Sequence, residues 1–411
     1  MDIGFYNEHG YLHIKNAIPK EYIQTARDKG LPLVKWSREN LGKPSLAGPD
    51  ELFLHVGCAG AYEEDLYKLY TSELSYDLAT TILGRKEIFL FNDQMVYKFP
   101  NDNFSFGEHC DNQFGGENKD GKMHTVNMSW ILDDFTDENG TLELQSLKTK
   151  EWTKLYPKAG DIIAINGNCI HRSGPNESDK PRGLYACVYS VGQINLGNYY
   201  TTPFLPKPSK QQDGNTFWKN IPAQQVDTFK EYFTMFLQLN KFDRILELGT
   251  SRGGLTYFLS SIFKGPIVTV DNNLENVNKR VFKIAEVIEA DHMSQKTIKY
   301  LHEEFISKEG RVLVLCDGGD KPGIFNAYAK LIKEDDYIGV HDFFTSREAY
   351  DAQTIWHWIE CTEDQIADTI TEFELKKTDT YMLDIVWGMY KKTGAKINIP
   401  HSFYPNHLPL I

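Results

Sequence analysis

The stretch "SFGEHCDNQF", residues 105–114, sets His109 and Asp111 two positions apart in a segment that reads as extended. On a strand, side chains i and i+2 leave the same face, so an imidazole and a carboxylate can converge on one point and hold a cation there. A second histidine, His171, follows the apolar run "DIIAIN", and Arg182 lies further on in "HRSGPNESDKPRGLY". Two imidazoles and one carboxylate form the facial triad that leaves open positions on a non-haem Fe(II). The arginine adds a planar fork able to pair bidentately with a carboxylate. A His-x-Asp alone is equally the pattern of a surface pair at a strand end. His9, His13, His55 and His124 have no such partners and read as ordinary surface or core histidines.

A second set of chemistry-bearing residues lies in "ILELGTSRGGLTYF", where Glu247 ends an apolar strand and Gly249 and Gly253 permit a tight turn before a helix near Leu255. Nucleotide sites and plain turns share such a turn. Asp271 ends the next strand in "IVTVD", where a carboxylate can accept from ribose hydroxyls, and Asp291 ends a third in "IEAD", near where an adenine would lie. Asp317 ends a fourth strand in "VLVLCDGGDK", and His341 and Asp342 end a fifth in "DYIGVHDFF". In an open parallel sheet the carboxyl ends of neighbouring strands face one crevice, so these three can meet there.

The elements that must position these residues fall into two textures. Residues 1–195 carry short apolar or alternating runs, among them "IFLFNDQMVYKF", "HTVNMSWILDDF", "GTLELQ", "AGDIIAIN" and "GLYACVYSVGQI", which predict a many-stranded β region. Residues 12–40 and 61–84 read as helical, the second ending at Gly84. A stretch rich in Pro, Gly and polar residues predicts a linker at 201–221, and from 222 strands and helices alternate as in a doubly wound parallel sheet. The tail "NIPHSFYPNHLPLI" reads as irregular.

The chain has 411 residues, 41% hydrophobic and 25% charged, which fits two domains, each large enough for its own core. A net charge of −13 disfavours a surface built to grip phosphate backbones, so a small molecule is the expected partner rather than nucleic acid. The opening lacks a signal peptide's pattern and no run is long enough for a membrane span, which together predict a cytoplasmic protein. The six cysteines have no paired spacing and read as reduced thiols, with Cys110 and Cys169 pointing away from any metal.

The first half resembles the phytanoyl-CoA dioxygenase-like Fe(II)/2-oxoglutarate oxygenases over about residues 5–195. The resemblance rests on "FYNEHGYLHIKNAIP", the "HCD" pair, "SWILDDFTDENGTLEL" and "GDIIAINGNCIHRSGPNESDKPR". It implies a double-stranded β-helix, or jelly roll, with His109, Asp111 and His171 on iron and Arg182 on the distal carboxylate of 2-oxoglutarate. Trp130 and Gln94 sit where this family often lines the cosubstrate pocket. With 2-oxoglutarate in two of the open positions and O₂ in the third, hydroxylation is the default outcome, and Asp111 argues against halogenation. Where the family commonly writes "PGSHK", this chain has "LQSLKTK", a departure on the substrate side that touches no proposed ligand.

The second half resembles the class I S-adenosylmethionine (SAM) methyltransferases, with Glu247, Gly249, Gly253, Asp271 and Asp291 as the cofactor's contacts. A dinucleotide site is the alternative. The strand-end acids look like those of metal-dependent O-methyltransferases of the cephalosporin-hydroxylase and macrocin type, over about residues 225–345, in which acids there hold Mg²⁺ through positions matching Asp317 and Asp342. His341 is a poor ligand for so hard an ion. Mn²⁺ or Fe²⁺ then fits better, or His341 is a general base with no metal, Asp320 and Lys321 being the other candidate bases. Phe343, Tyr350, Trp356 and Trp358 are candidates for an acceptor pocket. Joined, the halves imply an oxygenase that installs a hydroxyl and a methyltransferase that caps it; in the alternative, the second half only binds substrate or SAM.

Overall fold

The computed structural model describes residues 1–40, 55–57, 59–101, 105–111, 125–192, 195–196, 199–200, 202–209 and 216–395. The chain forms two compact units, Met1–Pro206 and Lys207–Ile411. This division falls inside the stretch expected as a linker, which is not a free tether at either end.

In the first unit the strands, in chain order, are β1 (Tyr11–Ile14), β2 (His55–Gly57), β3 (Ile88–Lys98), β4 (Phe106–His109), β5 (Thr125–Ile131), β6 (Leu142–Gln145) and β7 (Trp152–Leu155). They continue with β8 (Ile162–Asn166), β9 (His171–Ser173), β10 (Arg182–Ser190), β11 (Asn195–Leu196), β12 (Tyr199–Tyr200) and β13 (Thr202–Phe204). A major sheet runs β1-β8-β5-β10-β3-β13, with β2 also on β3, and a minor sheet runs β4-β9-β6-β7. Every pairing in both is antiparallel. Thr202–Phe204, expected in the linker, thus completes the edge of the major sheet.

The pleat explains why β8 reads as an unbroken apolar run rather than an alternation. Ile162 and Ala164 enter the core under the helices, whereas Ile163 and Ile165 enter a second core shared with Leu184 of the same sheet and Leu142 and Leu144 of the minor sheet. Burying each isoleucine contributes roughly 1.5–3 kcal/mol. The outer core is closed by α1 (Lys20–Asn40), α2 (Glu64–Tyr70) and α3 (Glu73–Leu83), the last ended by Gly84 at φ 70°. The helix expected over 12–40 begins only at Lys20, because Tyr11–Ile14 pairs with β8 as a strand.

In the second unit the strands continue as β14 (Phe217–Trp218), β15 (Ile221–Pro222), β16 (Arg244–Leu248), β17 (Ile267–Asp271), β18 (Glu286–Glu289), β19 (Val312–Cys316) and β20 (Tyr337–Val340). The rest are β21 (Phe343–Phe344), β22 (Cys361–Thr362), β23 (Leu375–Thr378) and β24 (Gly388–Lys392). The β14–β15 hairpin lies where a linker was expected, residues 210–215 fall outside the described residues, and so do His124 and the tail from 396. The large sheet has the order β18-β17-β16-β19-β20-β24-β23. Its first five strands are mutually parallel, and β24 runs antiparallel to both neighbours, so the sheet is mixed rather than wholly parallel. The helical stretch expected between β17 and β18 is only a 3₁₀ turn at Val281–Lys283. β16 and β19 are buried along their whole length, and between them the strand order reverses, the place where open sheets of this kind form a crevice at the strands' carboxyl ends.

Candidate active sites

The first site is built where β4 meets β9. His109 and His171 are direct cross-strand partners with ring centroids 4.2 Å apart. Asp111 lies two residues on, just past the end of β4 rather than on it. One nitrogen from each imidazole and one oxygen of Asp111 all lie within 4.8 Å of one another. The Nδ1 of His109 is 2.8 Å from the Gly107 carbonyl and that of His171 is 3.0 Å from the Cys169 carbonyl. A carbonyl can only accept, so each Nδ1 carries the proton and each Nε2 presents its lone pair. Burial also holds His171 below the ordinary histidine value, which favours the neutral ligand form.

The carboxylate is oriented by a short relay. Asn127 donates from Nδ2 to Asp111 Oδ2 at 3.2 Å, and the Ser129 hydroxyl donates to Asn127 Oδ1 at 3.1 Å. The second bond fixes which end of the amide faces Asp111. Oδ1 is left 3.7 Å from His171 Nε2. This donor set fits a divalent transition metal held from one side. Arg172 straps the two edges together, binding Glu108 of β4 at 2.7 Å and Glu143 of β6 at 2.8 Å.

Arg182 begins β10, is 2% exposed, and reaches across to the minor sheet, donating to the carbonyls of Asn139 (3.3 Å) and Gly140 (2.6 Å) with its guanidinium over the Phe135 ring. Burial lowers its pKa to about 9. Its cross-strand partner is Lys98 at the end of β3, which the sequence reading missed. Lys98 is wholly buried, bonds the Ser173 hydroxyl (2.8 Å) and the Ser173 and Gly174 carbonyls, and is pushed down to about 6 by burial and by Arg182 beside it. Ser173 shares a face of β9 with His171, two residues or about 6.6 Å along the strand. A buried pair of basic side chains, Lys98 and Arg182, therefore stands about two strand residues from the ligand triad. Its signal in the sequence was the lysine inside the apolar run "MVYKF".

Gln94 lies on β3 on the same face as Lys98, four residues back. Trp130 does not line the expected pocket. It shares a face of β5 with Val126 and Met128, packs in the outer core between Tyr22 (6.2 Å, stacked) and Tyr185 (6.2 Å, edge-on), and so points away from Asn127 and Ser129. Cys169 turns its thiol to the Gln145 carbonyl at 3.3 Å, and burial raises it to about 12.

The second site lies at the crevice of the large sheet. Gly249 adopts φ 113°, and a Cβ there would meet the Asp317 carbonyl group at 2.5 Å, so the glycine is required for β16 and β19 to end side by side. Asp271 Oδ2 accepts from the Thr250 and Ser251 amides at 2.9 and 2.8 Å and thereby shapes the turn. Gly253 is at φ 83° with Val281 where a Cβ would go. Asp291 is exposed and accepts from the Met293 amide. Glu247, expected at the cofactor, is instead 1% exposed inside the sheet, where Thr256 and Thr269 donate to its Oε2, and burial raises its pKa to about 8.

Asp317, His341 and Asp342 do converge, with ligand-type atoms within 4.8 Å of one another. His341 Nδ1 is 2.8 Å from Asp317 Oδ1, and Asp317 Oδ2 accepts from Gln225 at 3.0 Å. Lys321 Nζ lies 2.8 Å from Asp342 Oδ2 and 2.5 Å from Glu360 Oε2, and the Trp356 indole donates to Asp342 Oδ1 at 2.6 Å. Burial works to lower the Lys321 pKa, but Asp317 and Asp342 outweigh it and hold the ammonium charged, which removes Lys321 as a base. Asp320 is exposed and spends Oδ1 on capping the helix α4 (Lys321–Tyr328) through the Gly323 amide. Of the expected aromatics, Phe343 is core, Trp358 is exposed, and Trp356 reaches the cluster through its indole.

A family model described as phytanoyl-CoA dioxygenase (PhyH) matches residues 143–184, a stretch that contains His171 and Arg182. Solved structures similar to the chain include the non-heme alpha ketoglutarate dependent carbocyclase SnoK from nogalamycin biosynthesis, at 18% identity over 47% of this chain and 83% of that one, TM-score 0.41. EctD from S. alaskensis with bound Fe matches at 17% identity over 46% and 75%, TM-score 0.39. AviO1 from Streptomyces viridochromogenes Tue57 matches at 18% over 46% and 92%, TM-score 0.38. No curated protein matches the chain. Among the described residues no helix is long and apolar enough to cross a membrane.

Proposed function

We propose that the first unit is an Fe(II)/2-oxoglutarate-dependent oxygenase acting on a small organic substrate, and that the second is a SAM-dependent O-methyltransferase unit. The observation that carries the oxygenase reading is the triad of ligand atoms within 4.8 Å of one another, set two strand residues from the buried Lys98–Arg182 pair. The family match over His171 and Arg182 supports it. His109, Asp111 and His171 would hold the iron, which with 2-oxoglutarate and O₂ supplies oxidation of a substrate C–H bond. Arg182 and Lys98 neutralise the distal carboxylate of the cosubstrate in a water-poor pocket, where each charge-assisted bond counts for more than in water. Asn127 and Ser129 keep one oxygen of Asp111 turned to the metal position.

The methyltransferase reading is supported by the crevice at the order reversal between β16 and β19, by the glycine turn beside it, and by the acids at the ends of β17 and β18. Anaerobic Fe(II) titration with 2-oxoglutarate is expected to give a stoichiometric visible charge-transfer band that Asp111→Ala abolishes, followed by succinate formation on admitting O₂. Absence of stoichiometric ferrous uptake would sink the oxygenase reading. For the second unit, calorimetry is expected to show SAM binding, and product analysis a transferred methyl; binding without transfer would leave it a docking module.

A further inference from the structure

The cluster at the ends of β19 and β20 does not suit the divalent ion that strand-end acids of this kind would otherwise take. Asp342 already has a cation: the Lys321 ammonium lies 2.8 Å from Oδ2 while Trp356 donates to Oδ1. Lys321 is 5% exposed and also pairs with Glu360, so the charge is fixed in place rather than visiting from solvent. A metal bound to Asp342 would sit against that ammonium, and the third member of the set is an imidazole, which a hard ion accepts poorly.

The imidazole itself is arranged for another task. His341 is 2% exposed, its Nδ1 faces Asp317 Oδ1 at 2.8 Å, and Gln225 holds the other oxygen of Asp317 while accepting from the Trp387 indole at 2.8 Å. The ring is stacked on Trp387 at 4.9 Å, which fixes its plane. Its remaining nitrogen, Nε2, is buried and has no hydrogen-bond partner. A buried polar atom left without a partner costs free energy, and one directly after β20, beside the reversal of strand order, marks a place where a ligand group belongs.

We propose that this crevice is a metal-independent proton-accepting site, in which the Lys321 ammonium stands where a divalent ion would and His341 Nε2 receives the proton of an acceptor hydroxyl. The inference rests on reading the second unit as a methyltransferase. In the step, the hydroxyl oxygen forms a bond to the sulfonium methyl of SAM while its O–H bond breaks toward Nε2. The S–CH₃ bond breaks with its electron pair staying on sulfur, leaving S-adenosylhomocysteine. The positive charge lost by sulfur appears on the imidazolium, which Asp317 stabilises; Asp317 is a positioning residue here. Its aim at Nδ1 holds the tautomer that leaves the Nε2 lone pair free.

The test uses the full chain and Mn²⁺ as probe, counted by electron paramagnetic resonance. Asp317→Asn is expected to leave the Mn²⁺ stoichiometry of the wild type unchanged; loss of one equivalent overturns the proposal. Lys321→Met, if folded by circular dichroism, is expected to gain one equivalent, because Asp342 and Glu360 lose their cation; no gain removes the ammonium as the metal's competitor and overturns it too. In spectra of ¹⁵N-histidine-labelled protein, Asp317→Asn is expected to shift both ring nitrogens of His341, identified by their absence in His341→Asn, and no shift overturns the dyad. Calorimetry with SAM on the same wild-type sample separates the two claims. Absence of SAM binding defeats the methyltransferase reading, whereas a second Mn²⁺ alongside normal SAM binding defeats only this one.

Discussion

At the scale of single residues, Lys98 is the position where charge and burial conflict most openly. A lysine held to about 6 is uncharged at neutral pH, and a dicarboxylate arriving beside it restores the charge. Binding of 2-oxoglutarate above pH 6 therefore takes up a proton, and the affinity should fall by up to about tenfold per pH unit above that value. Calorimetry at pH 7.5 in buffers of different ionisation enthalpy should record this uptake, and Lys98→Met should abolish it while weakening binding by roughly ten- to a hundredfold, the worth of one charge-assisted bond. Asn127 acts one step further out. Asn127→Ala should cost roughly ten- to a hundredfold in Fe(II) affinity with the fold intact, measured by anaerobic competition with a chromophoric chelator.

The elements carry constraints of a different kind, seen where strands end. Gly140 at φ 74° presses its α-carbon side against the Gly174 and Pro175 carbonyls, 2.1 and 2.5 Å from where a Cβ would be, while its own carbonyl accepts from Arg182. Gly140→Ala should lower stability by about 2 kcal/mol or more and weaken 2-oxoglutarate binding together, because the turn that feeds β6 also seats the arginine. Glu247 sets a pH dependence for β16. Its folded pKa of about 8 lies above the ordinary 4.5, so between those values the folded state holds a proton that the unfolded chain has lost, and stability falls as pH rises through the window. The slope approaches about 1.4 kcal/mol per pH unit, and Glu247→Gln should flatten it in urea unfolding at pH 5.5 and 8.5.

For the whole molecule, the two units have separate cores, one drawing on residues up to Phe204 and the other beginning at Leu246. Ligands of one unit should therefore stabilise that unit alone. Scanning calorimetry should show two transitions, with Mn²⁺ plus 2-oxoglutarate raising one and SAM the other, each by about 2.7 kcal/mol at a hundredfold excess over Kd. One transition raised by both ligands would contradict this independence.

Much of the design was legible one residue at a time. His109, Asp111 and His171 were singled out by type and spacing and the fold brings them together, and the runs that became β3, β5, β8, β10, β16 and β19 were readable because burial selects apolar side chains at strand period. Even the error at Trp130 was within reach, since it shares the parity of Val126 and Met128 rather than that of Asn127 and Ser129. What remained hidden depends on which strands become neighbours. Only pairing β3 with β10 sets Lys98 against Arg182, and only the fold brings Lys321 and Glu360 to Asp342, 21 and 18 residues away in the chain. Whether an acid faces a cofactor or spends its oxygens on two threonines, as Glu247 does, is fixed by side-chain packing inside the sheet. Local sequence determines residue chemistry and strand face, because both follow from the covalent chain. Charge pairing and burial belong to the tertiary structure, because they are interactions between segments that the sequence does not place together.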